Sequence, residues 1–218
     1  MDMLNSMTVI ESLSKDSQGR RLSEQIGAAR YQQVITRAET LSINTLLLDD
    51  KEAWYAAIVV SQIRLMRMGF DPSWGIETRF TAMAMADGKP IDGLETLADQ
   101  LGVLDRMSID TQAEFLLESL NDQATAEAEM QSMVTAWKSG DSEALEQTML
   151  EGMGDIPELY SELIVKRNIN WANQIERLDK STRDKTYLVI VGGMHLVGPD
   201  SVQQQLKSKG ISYRQLVD

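Results

Sequence analysis

The chain has 218 residues, 43% of them hydrophobic and 25% charged, a globular composition that excludes disorder and suffices for one domain with a sizeable core. Its net charge of −12, with a pI of about 4.6, repels phosphates and argues against nonspecific nucleic-acid or anionic-membrane binding. Cysteine is absent, which excludes disulfide and thiolate chemistry; no apolar run approaches the roughly 18–20 residues of a membrane span, and Met1 to Lys15 lacks the basic front and apolar stretch of a signal peptide.

Residues 1–16 are weakly patterned and read as a short helix or arm. Leu22, Ile26, Ala29, Val34 and Ala38 recur at helical spacing, which predicts a helix from Leu22 to Thr40. After a connection, Asp50 is placed to cap a helix from Lys51 to Met68 that carries Trp54, Ile58, Ile63 and Leu65 and stops at Gly69. A turn over 70–74 leads to a helix from Ile76 to Ala86. Ile91 to Leu94 reads as a short strand after Pro90, and Thr96 to Leu101 as one or two helical turns. The segment 111–178 is mainly helical, in pieces from Thr111 to Leu120, Ala124 to Lys138, Ser142 to Glu151 and Pro157 to Leu178, with Asp141 and Asp155 where N-caps belong. Between Asp122 and Glu162 stand ten acidic residues and one basic residue, Lys138, a solvated face or a surface for a basic partner. Most of the thirteen methionines are expected to fill the core.

The last thirty-odd residues hold the only histidine, His195. Tyr187 to Val191 is a β-branched apolar run and reads as a buried strand. Gly192 and Gly193 follow, then His195, a helix from Ser201 to Lys209 ended by Gly210, and a second strand from Ile211 to Val217. That order sets an imidazole at the carboxyl end of a strand, where α/β folds hold ligands. A lone histidine reads as a structural residue or as a ligand; the two glycines, which let another group approach the backbone, keep both open. Glu77 and Glu95 sit at ends of elements, where each is a helix-dipole partner or a site carboxylate. Arg167 and Asn168 lie inside an amphipathic helix, and Arg167 there either pairs on the surface or steadies a carboxylate or oxyanion.

Gly192-Gly193-Met194-His195 resembles the G-x-x-H motif of the TraB/GumN (Tiki-like) family. In chain order, Lys51 to Ala57, Gly75-Ile76-Glu77 with Phe80, Gly88-Lys89-Pro90 with Leu94-Glu95-Thr96 and Gln100, and Arg167-Asn168 with Trp171 resemble further segments of it. The resemblance covers about residue 20 to residue 217. It implies an α/β fold: a mixed β-sheet flanked by helices with a helical insertion, in a single domain over 1–218 that lacks its first strands. The family's first G-T-x-H motif has no counterpart here, so the chain is expected to be N-terminally truncated, or a short variant, and incomplete or inactive.

The resemblance also implies a metal-dependent hydrolase or peptidase. His195 would be a ligand to a divalent Mn, Co or Zn ion, Glu77 or Glu95 a ligand or general base, and Arg167 and Asn168 would orient a peptide or small-molecule substrate. The alternative it leaves is a non-catalytic peptide- or ligand-binding protein, of the pheromone-shutdown kind or like haem-binding relatives, although a lone histidine gives haem little support. A homodimer through an exposed sheet edge is expected. Localisation is expected to be periplasmic or secreted if a signal was removed, otherwise cytoplasmic.

Overall fold

The computed structural model describes residues 3–181 and 185–216. They form two compact units, Met1–Ala126 and Glu127–Asp218.

The first unit is built from helices that the apolar periodicity anticipates. α1 is Met3–Leu13, α2 Leu22–Ile26, α3 Ala28–Thr40, α4 Ala53–Arg67, α5 Ile76–Ala86, α6 Leu97–Asp105 and α7 Ile109–Ser119. Gly27, at φ +80°, divides α2 from α3, where the sequence suggested one helix. Small residues Ala53, Ala56, Ala57 and Val60, all fully buried, line the face of α4 in the core and let it lie close to α7, whose Ala113 and Leu116 are buried in the same cluster. Arg64 is 4% exposed and ends this seam. It donates to the carbonyl of Ser119 at 2.6 Å, to Asn121 Oδ1 at 2.6 Å and to the carbonyl of Asp122 at 3.1 Å, which satisfies the C-terminal carbonyls after α7. The N-cap of α4 is Glu52, not Asp50, and its carboxylate accepts from Trp54 Nε1 at 2.9 Å rather than from the helix backbone. α5 buries no residue, and its Met83 and Met85 are exposed. The expectation that most methionines fill the core fails on this helix, whereas Met107 does lie in the interior.

In the second unit, α8 (Gln123–Ser139, which begins at the end of the first unit), α9 (Ser142–Gly154), α10 (Pro157–Tyr160), α11 (Lys166–Ser181) and α12 (Val202–Ser208) follow in order. Asp141 caps α9 as expected, accepting from Ala144 N at 3.0 Å. Asp155 instead ends α9, and α10 starts on Ile156 and Pro157. A π turn, Ser161–Val165, joins α10 to α11 without a break. α11 packs on α12, with Trp171, Ala172 and Val202 buried.

The expected mixed β-sheet is not formed, and an α/β fold is overturned: among the described residues there is no strand. Residues 187–191, 211–216 and 91–94 run without a ladder, and Leu188 is 71% and Leu216 78% exposed. Val217 lies outside the described residues. β-branched composition favours a pleated, half-buried surface, but a strand exists only once another chain segment takes up its hydrogen bonds, and that pairing is not written in local sequence. No helix among the described residues is long and apolar enough to cross a membrane.

Candidate functional site

Three of the five residues singled out from sequence meet in the second unit, on α11 and on the turn after the glycines. The turn is one 3-10 helix, Gly193–Leu196, closed by His195 N donating to the Gly192 carbonyl at 2.9 Å. It leaves His195 only 7% exposed. Gly193 has a steric reason to be glycine: a Cβ there would stand 2.9 Å from Trp137 Cζ3. The group that approaches the glycine pair is thus Trp137 of α8 rather than a ligand, and it fixes where the turn presents its imidazole.

Asn168 is fully buried beneath that imidazole. Its Nδ2 donates to the Asp200 carbonyl at 2.8 Å, so its Oδ1 is the acceptor facing His195 Nδ1 at 2.7 Å. Nδ1 therefore carries the proton and Nε2 keeps its lone pair. Arg167 Nη1 lies 3.5 Å from Nε2 and also donates to the Leu163 carbonyl at 3.3 Å. Burial, and then the Arg167 charge, push the His195 pKa down to about 4, so the ring is neutral at physiological pH. One turn on along α11, Trp171 packs against the imidazole with ring centroids 4.4 Å apart, and the Arg167 guanidinium lies over the indole at 4.7 Å.

Asp200 holds the rear of the site. Its carbonyl takes Asn168, and its carboxylate accepts from the Tyr160 hydroxyl at 2.9 Å. Burial and this neighbouring carboxylate raise the Tyr160 phenol to about 12. Tyr160 and Asn168 are eight residues apart, roughly 80° out of line on an uninterrupted α-helix. The π turn between them absorbs one residue, so the pair behaves as if about seven apart and faces Asp200 together. Sequence reasoning missed Tyr160 and Asp200 for this reason. Trp171 enters the sequence reading only as part of a motif, although its spacing of four from Arg167 sets the two on one face of a helix.

Glu77 and Glu95 belong to the first unit. Glu77 is exposed in the first turn of α5, and Glu95 is half-buried just before Thr96, the N-cap of α6. Among the described residues no group of three or more His, Asp or Glu side chains could hold a metal ion.

The sequence model of the TraB/PrgY/gumN family matches residues 1–215. The chain is 23% identical over 186 residues to "Uncharacterized protein YbaP" of Escherichia coli (strain K12), an alignment that spans 85% of this chain and 68% of the relative. The protein of the same title from Shigella flexneri matches to the same extent. No solved structure matches.

Proposed function

The chain belongs to the TraB/PrgY/gumN family, and from that premise we propose that it supplies the histidine-bearing part of a hydrolase site, of the metal-dependent peptidase kind its motifs resemble. The observation that supports this most is the 2.7 Å contact between His195 Nδ1 and Asn168 Oδ1. An outer partner that fixes the tautomer and leaves the lone pair on the other nitrogen is how proteins prepare an imidazole to coordinate. The lowered pKa points the same way. A base of such weak basicity draws a proton poorly at neutral pH, whereas a neutral imidazole coordinates without first losing one.

The donor set does not complete a metal site. Catalytic zinc takes three protein ligands and structural zinc four, while the cluster brings one nitrogen with a guanidinium 3.5 Å from it. No step is therefore routed through a metal. The cluster's own residues orient and polarise: Asn168 sets the imidazole, Asp200 and Tyr160 set Asn168, and Arg167 brings a positive charge beside His195 that would stabilise an oxyanion formed there.

The test is calorimetric titration of Mn²⁺, Co²⁺ and Zn²⁺ into the chain and into His195→Ala, followed by a peptide-hydrolysis assay. The proposal expects binding that His195→Ala removes, and that Asn168→Ala weakens by about 10–100-fold. Metal affinity that is indifferent to both substitutions, with no hydrolysis, refutes it.

A further inference from the structure

We infer that residues 188–191 are a docking strand for an extended apolar peptide, which pairs with them antiparallel and is thereby led toward the His195 turn. Only the identification of that peptide as a substrate rests on the hydrolase reading above. The segment reads Leu-Val-Ile-Val, without proline, glycine or charge. It belongs to no helix, and no backbone hydrogen bond joins these four residues to another described residue. Leu188 is 71% and Val189 38% exposed, while Ile190 and Val191 are half-buried.

Two needs coincide here, and together they name the occupant. The side chains call for an apolar cover, and the backbone calls for donors and acceptors at strand spacing. A helix has spent its backbone groups on itself, and a lipid surface offers no alternating row of them. An extended segment supplies both at once, which is how recognition by strand addition works. Native chains guard an exposed edge with a charge or a proline; 188–191 carries neither.

Charge fixes one end of the peptide. Lys185 stands just ahead of the segment, is exposed, and is held by no ion pair among the described residues. From 185 to 216 the sequence has four basic residues and one acidic residue, Asp200, in a chain whose net charge is −12. Antiparallel pairing, the more stable arrangement, brings the carboxyl-terminal end of the peptide beside Lys185. The peptide that fits is therefore apolar along its length and acidic at that end. A second copy of the same segment would bring Gly192 and Gly193 there instead of an acid.

The segment also leads into the site. Gly192 continues it in an extended conformation, and His195 is the third residue of the 3-10 turn that follows. The amino-terminal end of an antiparallel peptide is thus directed to that turn.

The experiment uses the full chain in the presence of a chelator. The probe is a fluorescein-labelled Thr-Val-Thr-Val-Thr-Val-Glu amide, read by fluorescence anisotropy and by backbone hydrogen exchange over 188–191. Saturable binding is expected, with exchange slowed in that segment. A ladder uses every second amide of the peptide, so of two versions N-methylated at alternate residues, one in each phase, one is expected to lose binding and the other to keep it. Val189→Pro and Ile190→Pro remove amides that face opposite edges, and one of the two is expected to weaken binding at least about tenfold. Neither amide has a backbone partner in the fold, and unchanged helical circular dichroism establishes that both variants are folded. Lys in place of the probe's Glu is expected to weaken binding roughly two- to fivefold.

No saturable binding, the same response to both methylated versions, binding that survives both proline variants, or binding without slowed exchange over 188–191 would each overturn the inference. So would slowed exchange that grows with protein concentration in the absence of peptide, which identifies a second copy as the occupant. Because no metal is present, failure here beside His195-dependent metal binding overturns the docking strand alone. Success here without metal binding overturns the metal-dependent reading alone.

Discussion

His195 is the only histidine in the chain, so its titration can be followed without assignment. Its pKa in the fold is about 4, below the ordinary value of 6.5, through burial first and then the Arg167 charge. A base with a depressed pKa holds fewer protons in the folded than in the unfolded state as pH falls below 6.5. The stability it confers is therefore present above that value and is lost as pH drops through 4. Between about pH 8 and about pH 5 the linkage amounts to about 2 kcal/mol if the whole shift counts, and nearer 1 kcal/mol once solvent screening at the half-exposed Arg167 is discounted. Two measurements check it. The imidazole Cε1–H resonance should titrate with a midpoint near 4. Denaturant unfolding of the wild type should lose this much more stability on acidification than His195→Gln, a comparison in which the carboxylates common to both proteins cancel. A midpoint near 6.5, or identical pH slopes in the two proteins, would refute the assignment of His195 as a desolvated neutral ring.

Asn168→Ala leaves the buried His195 Nδ1–H and the partly buried Asp200 carbonyl without their partner, at about 1–3 kcal/mol for the first and less for the second; a loss of about 2–4 kcal/mol in urea unfolding is expected, with a smaller loss of about 1 kcal/mol for Tyr160→Phe. Glu52 in the first unit is pushed up to about 7, chiefly by burial, with Asp105 opposing its ionisation and the Trp54 N–H favouring it. A carboxyl whose pKa is raised in the fold stabilises below its unfolded value of 4.5, and that contribution disappears as pH rises through 7. Glu52→Gln should therefore flatten the fall in stability between those limits; an unchanged slope would count against the assignment.

The helices were legible because their cause is local. Leu22 and Ile26 lie one turn apart on α2, Val34 and Ala38 one turn apart on α3, and all four are buried. Asp141 and Gly69 act where they stand, as a cap and as a left-handed stop at φ +89°. The predicted strands failed for the complementary reason. Tyr187 to Val191 has the composition of a strand, but composition records how a segment would suit a sheet and not whether a partner is there to pair with it.

The site divides along the same line. Arg167, Asn168 and His195 were readable as residue types in a motif, and the structure brings them together. Tyr160 was not, because an eight-residue spacing on a regular helix sets it on a different face from Asn168. The single π turn, Ser161–Val165, reverses that conclusion by rotating every residue before it relative to every residue after it. Its consequence is that Asp200 is gripped at both carbonyl and carboxylate from one helix. The inserted residue thus sets Asn168 against Asp200, and through Asn168 it holds His195 in one tautomer.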